Sequence, residues 1–218
     1  MENFNRIKSN TKEEWLKKRI KGIGGSDASA ILGKNNYKTI IDLWQEKTNR
    51  KKASKVDYEI VEYGIKAEEP LRELFKLTYK DKYKVYSCEN EILQSKKHPF
   101  MIGSLDGEIE DLETGKKGVL EIKTARINSK RARNEWYNDV PINYYIQILH
   151  YLLITNYDYA IISAEQKYEV EDNIWFLRKI YRFDRKDVID DLKLLEEEEV
   201  KFWKFVEEDK EPPLKIEI

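Results

Sequence analysis

The chain has 218 residues, 40% of them hydrophobic and 37% charged, with 14 Tyr and 5 Trp; that is enough apolar and aromatic surface for a sizeable core and excludes a disordered tail. A single cysteine, Cys88, and two histidines, His98 and His150, exclude an intramolecular disulfide and a Cys/His zinc cluster, so any metal must be held by oxygen. The net charge of −1 neither predicts nor forbids a polyanionic partner. The two signs are partly segregated: Lys17, Lys18, Arg19 and Lys21 form one basic stretch and Arg126, Lys130, Arg131 and Arg133 a second, against acidic runs at Glu196 to Glu199 and Glu207 to Asp209. No apolar run approaches the ~20 residues of a membrane span and the first residues lack the apolar core of a signal peptide, so the expected location is the cytoplasm.

No repeat or Pro/Gly-rich hinge divides the sequence, which reads as one domain over 1–218, with a helical part over about 1–60 and a core over about 61–218. Thr11 and Glu14 have the spacing of a capping box, with Trp15, Leu16 and Ile20 as an apolar stripe, so a helix is expected over 11–20. Gly22-Ile23-Gly24-Gly25-Ser26-Asp27 ends it, Ser26 or Asp27 caps a short second helix that stops at Gly33, and Thr39 opens a third with Ile40, Leu43 and Trp44 buried. A fourth helix is expected from Tyr63 or Gly64 to about Tyr79, kinked or restarted at Pro70. Residues 84–94 and 100–110 alternate as strands, and the turn Thr114 to Gly118 leads into the strand Val119 to Thr124, giving a β-meander. Pro141 opens a further helix, two strands follow near 158–165 and 173–182, and an amphipathic helix runs from about Arg185 to Val206. The fold class that results is α/β: a mixed sheet flanked by helices, with a helical N-terminal cap.

The chemistry is carried by Asp106 on one hairpin strand and Glu121-Ile122-Lys123 on the next. Alternation puts Glu121 and Lys123 on one face while Leu120 and Ile122 point to the other. If the hairpin sets Asp106 beside Glu121, the two carboxylates call for a divalent cation, and oxygen ligation suits Mg²⁺ or Mn²⁺. Lys123 at the rim can hold the attacking water and offset charge developing on phosphorus. Glu-x-Lys alone is a weak signal, since it occurs at Glu121, Glu165, Glu199 and Glu208; only the first copy lies in an apolar strand with an aspartate on the strand before it. Glu68 reads by pattern as a surface or helix-dipole residue and Gln147 as a satisfied core or edge residue. The glycine turn offers N–H groups at Gly25, Ser26 and Asp27 to an anion, with Arg19 or Lys21 alongside, but capping explains Ser26-Asp27 equally and Asp27 would repel a phosphate.

These motifs, taken in order, resemble the YqaJ-like viral recombinase family, the phage lambda-type alkaline exonucleases of the restriction-endonuclease-like superfamily. The resemblance runs from about Trp15 to Thr155 on Trp15-x-x-x-Arg19, Gly22 to Asp27, Gly64-x-x-x-Glu68, Gly103-Ser104-Leu105-Asp106-Gly107, Leu120-Glu121-Ile122-Lys123 and Tyr145-x-Gln147-x-x-His150-Tyr151. It departs at Leu149, where the family often has a second Gln. It implies a restriction-endonuclease-like core and a Mg²⁺-dependent exonuclease that shortens the 5′ strand of double-stranded DNA ends in a bacterial host, leaving 3′ overhangs for a single-strand annealing partner, in a homo-oligomer, commonly a ring-shaped trimer. By the same resemblance Asp106, Glu121 and the Ile122 carbonyl hold metal, Glu68 assists, Lys123 activates or positions the nucleophile, Gln147 orients it, and Arg19 and Ser26 take the 5′-phosphate. Arg126, Lys130, Arg131 and Arg133, with Trp136 nearby, are expected to track the DNA backbone. The alternatives are an endonuclease of the same superfamily and a non-catalytic DNA-end-binding module.

Overall fold

The computed structural model describes residues 2–9, 11–51, 58–137, 139–170 and 173–214. In chain order its elements are β1 (Phe4–Lys8), α1 (Lys12–Ile20), α2 (Gly25–Ile31), α3 (Ile40–Lys47), α4 (Tyr58–Thr78), β2 (Tyr83–Tyr86), β3 (Glu91–Ser95), β4 (Ile102–Gly103), β5 (Gly107–Asp111), β6 (Lys117–Ile127), α5 (Lys130–Glu135), α6 (Ile142–Thr155), β7 (Tyr159–Val170), β8 (Asn173–Asp184) and α7 (Ile189–Glu207). Five strands form a mixed sheet in the order β2-β5-β6-β7-β8, and β1-β3-β4 form a separate sheet of three. Only the β6–β7 pair of the larger sheet is parallel, which requires the crossover supplied by α5 and α6.

β6 is buried on both faces, so its apolar run is continuous rather than alternating. Leu120 and Ile122 pack with Phe75 of α4, Tyr159 and Ile161 on one side. Val119 packs with Ile148 and Leu152 of α6, Ala160 and Ile162 on the other. A third cluster joins Ile23 and Ile31 to Leu43, Trp44 and Phe202, tying α2 and α3 to α7. Among the described residues no helix is long and apolar enough to cross a membrane.

The expected strand order needs three corrections. The N-terminal part is not wholly helical, because β1 pairs antiparallel with β3. The stretch 84–94 is two strands in different sheets: the chain turns at Cys88–Glu91 with Asn90 in the left-handed region at φ 59°, and β2 goes to β5 while β3 goes to β1 and β4. The stretch 100–110 is likewise broken at Ser104-Leu105-Asp106, so the three segments do not form a meander. α4 begins earlier than expected and continues through Pro70 as one helix. Of the apolar stripe expected on α1, Ile20 is 44% exposed, Trp15 is half-buried, and the Leu16 side chain lies outside the described residues.

His150, fully buried on α6, fastens three elements. Its Nε2–H donates to the carbonyl of Ile102 at 2.9 Å, and its Nδ1 lies 2.8 Å from Oε1 of Glu199 on α7. Burial pulls the imidazole down, but the Glu199 carboxylate outweighs it and the net shift is upward.

Candidate active site

Asp106 sits in the break between β4 and β5, and the register that pairs Gly107 with Leu120 carries it alongside the next residues of β6. Its Oδ2 accepts the Ile122 N–H at 2.7 Å. Its main chain is held by Arg72, one turn after Glu68 on α4, whose Nη1 donates to the Asp106 carbonyl at 3.0 Å. Arg72 is 3% exposed and also pairs with Glu89. Sequence reasoning missed it; a lone arginine on an amphipathic helix carries no signal until the loop that it holds is known.

Glu121 is 2% exposed, and its Oε1 accepts two hydrogen bonds, from Lys123 Nζ at 2.6 Å and from Gln147 Nε2 at 2.7 Å. Oε2 is buried with no hydrogen-bond partner. Gln147 also donates to the Tyr151 hydroxyl at 3.0 Å, and Lys123 Nζ stands 4.8 Å from the Tyr144 ring centroid. Tyr144, Gln147 and Tyr151 lie on α6, so Glu121 and Lys123 face α6, while Leu120 and Ile122 face α4, as strand alternation requires.

The electrostatics of the cluster set buried carboxylates against one another. Burial first and the Asp106 charge second, partly offset by Lys123, push the Glu121 carboxyl up to about 8. Burial and Asp106 push Glu68 up to about 7, and burial raises Asp106 against the pull of Lys123 and the Ile122 N–H. Burial alone would lower the Lys123 ammonium, but Glu121 and Asp106 outweigh it and raise it. Among the described residues no three His, Cys, Asp or Glu side chains gather closely enough to hold a metal by themselves. The buried, unpartnered Glu121 Oε2 is an oxygen donor of the kind that a hard cation takes.

The glycine turn forms the second part of the site. Arg19, at the end of α1, stacks 4.5 Å over the Trp15 ring, and its Nη2 donates to Ser26 Oγ at 3.1 Å; Trp15 Nε1 donates to Ser104 Oγ at 3.1 Å. Asp27 is paired: its Oδ2 accepts the Gly24 N–H at 3.1 Å and Lys47 Nζ at 2.7 Å, so the expected repulsion of an anion is offset. Gly25 is required because a Cβ there would lie 2.7 Å from Tyr151 ring carbons and 2.9 Å from Gln147 Cγ. The side chain that contacts Glu121 thus packs against the turn that carries Ser26. Gly25→Ala is expected to destabilise the chain by about 1–3 kcal/mol through this overpacking, read as a lower urea midpoint; an unchanged midpoint would show that α2 has room to retreat.

The basic segment divides. Arg126, Lys130, Arg131 and Arg133 are exposed, with Arg131 paired to Glu135 at 2.9 Å, whereas Trp136 is 4% exposed and packed against Tyr144 and Tyr181, so its ring is not available to a base.

The sequence profile of the YqaJ-like viral recombinase domain matches residues 14–158, two thirds of the chain. The chain belongs to that family. The YqaJ protein of Bacillus subtilis (strain 168), itself described as uncharacterized, is 30% identical over 199 residues, or 88% of this chain. The chain spans only 56% of that relative's length. Among solved structures, the alkaline exonuclease LHK-Exo of Laribacter hongkongensis superposes with a TM-score of 0.64 at 15% identity, covering 90% of this chain and 93% of that one. Its complex with dAMP superposes with the same TM-score at 16% identity. The fold of this YqaJ-family chain is therefore that of an alkaline exonuclease, a restriction-endonuclease-like mixed sheet flanked by helices. The matched segment holds every element that bears Arg19, Ser26, Glu68, Asp106, Glu121, Lys123 and Gln147, and stops before β7, β8 and α7.

Proposed function

We propose that this chain is a Mg²⁺-dependent exonuclease that shortens the 5′ strand of double-stranded DNA ends and leaves 3′ overhangs for a single-strand annealing partner. The observation that carries the reading is the buried Glu121 carboxylate with one oxygen free, beside Asp106 and under the Lys123 ammonium. Asp106 and Glu121 would hold the cation. The N–H and C=O of one β-residue point to the same strand edge; since the Ile122 N–H reaches Asp106, its carbonyl is directed to the same edge and would be a third ligand. A divalent cation bound there polarises the phosphate and lowers the pKa of an attacking water. Lys123 holds that water and opposes charge on the phosphoryl oxygens, Gln147 fixes the Glu121 rotamer, and Glu68 accepts a proton at the rim.

Arg19 and Ser26 supply two donors for the terminal 5′-phosphate, and the Trp15 ring beneath the guanidinium limits its rotation. Arg126, Lys130, Arg131 and Arg133 serve as backbone contacts, and a ring of copies, a trimer by family resemblance, would enclose the product strand. The substrate test uses 5′-phosphorylated linear duplex, the same duplex with 5′-hydroxyl ends, and closed circular duplex. Degradation of the first with Mg²⁺ and survival of the circle are expected. Cutting of the circle would move the assignment to an endonuclease, and no Mg²⁺-dependent product at all would leave an end-binding module. Arg19→Ala is expected to lower kcat/KM on phosphorylated ends by about 10- to 10²-fold, as the loss of a charge-assisted contact does.

A further inference from the structure

Lys47, the last residue of α3, lies outside every motif that led to the site, and its side chain is 6% exposed. Lysines are almost never this buried without a specific partner. Lys47 has two: its Nζ donates to Asp27 Oδ2 at 2.7 Å and to the Arg19 carbonyl at 3.3 Å. The same Asp27 oxygen accepts the Gly24 N–H, and its other oxygen faces Lys38 Nζ at 3.4 Å, which is itself anchored to Glu46 at 2.6 Å. Burial would raise the Asp27 carboxyl, but Lys47 and then Lys38 hold it down at about 2.

One ammonium therefore bridges the carbonyl end of α1, where Arg19 sits, to the opening turn of α2, where Ser26 sits. We propose that Lys47 is a positioning residue that sets the Arg19–Ser26 pair at the spacing needed to grip a terminal phosphate, and so determines selectivity for phosphorylated over hydroxyl 5′ ends. The inference rests on the terminal-phosphate reading above. The spacing is not set by the loop alone, because Arg19 and Ser26 are separated by the glycines Gly22, Gly24 and Gly25, which impose little conformation of their own. A misplacement of even about 1 Å between two donors of a charged ligand is costly.

The experiment compares kcat/KM on 5′-phosphate and 5′-hydroxyl duplex for the full chain, for Lys47→Met and for the double variant Asp27→Asn/Lys47→Met. The double variant keeps the acceptor for the Gly24 N–H and removes the buried charge that Lys47→Met alone leaves with only Lys38, so it folds even if the single variant does not. The phosphate-to-hydroxyl ratio is expected to fall about 10-fold or more in both, through KM on phosphorylated ends, with turnover of hydroxyl ends retained. A folded variant that keeps the parent ratio, or that loses both substrates equally, overturns the positioning role and leaves Lys47 a packing element. If the parent chain shows no preference for phosphate, the terminal-phosphate reading and this inference fall together.

Discussion

Lys123→Ala is expected to reduce DNA hydrolysis by about 10³-fold, the order seen when one preorganised transition-state donor is removed, while binding of DNA ends in Ca²⁺ survives. The ammonium is held by two contacts and by burial: Glu121 Oε1 accepts from it at 2.6 Å, the Tyr144 ring lies 4.8 Å away, and only 17% of the side chain is exposed. Because Glu121 and Asp106 outweigh burial and raise its pKa, Lys123 favours the ammonium form and is a poor candidate for a general base that takes a proton from water. In the proposed mechanism its part is to hold the nucleophile and meet charge on phosphorus. That distinction has its own signature: the loss on substitution should be the same at pH 7 and pH 9. Hydrolysis by Lys123→Ala within tenfold of the parent would remove this side chain from the mechanism.

The second large effect is on metal affinity. Glu121 is pushed to about 8, from an ordinary 4.5, by burial and Asp106, so below that pH it holds a proton that a cation must displace. The apparent affinity for Mg²⁺ should therefore fall as pH falls, approaching tenfold per unit well below pH 8 for one proton, or ~16-fold between pH 8 and 6.5. Glu68, raised to about 7, steepens the lower end. The stability of the metal-free chain runs the other way. The native state retains a proton on Glu121 that the unfolded state loses above about 4.5, so stability declines from there to about pH 8. Added Mg²⁺ should raise the thermal midpoint most at pH 8 and least at pH 6, and Asp106→Asn with Glu121→Gln should abolish the shift at both. A metal-induced shift independent of pH would show that the cation binds elsewhere.

Local pattern carried the centre of this site. The alternation of Leu120, Glu121, Ile122 and Lys123 assigned faces that the β6 packing reproduces, and the hairpin from Asp106 to Glu121 is formed by the β5–β6 register. What sequence could not supply were contacts made across long separations. β1 is a short strand with one fully buried side chain, Phe4, and exists because β3 pairs with it, 87 residues away in the Phe4–Lys8 to Glu91–Ser95 register. The 84–94 stretch keeps its alternation through a turn, and only the left-handed Asn90 divides it. Arg72, Lys47 and Tyr151 look like ordinary helix residues; each acquires its part from a loop or helix brought to it by the fold. Ser26 or Asp27 was expected to cap α2, but the N-cap is Gly24 and Asp27 is the third helical residue, its carboxylate accepting the Gly24 N–H; its pairing with two lysines was not legible either, since Lys38 and Lys47 lie beyond that helix.

The double-sided pairing of β6 also fixes what evolutionary change the chain can absorb. Glu121 and Lys123 share a face only because they are two residues apart on a strand bonded to β5 on one side and, through Gly118 to Ile127, to β7 on the other. One added or deleted residue upstream of Glu121 within β6 would turn both charges toward Phe75 and bring Leu120 or Ile122 to the cation. The interval between the turn at Gly115 and Lys123 is therefore closed to changes in length in lineages of this fold.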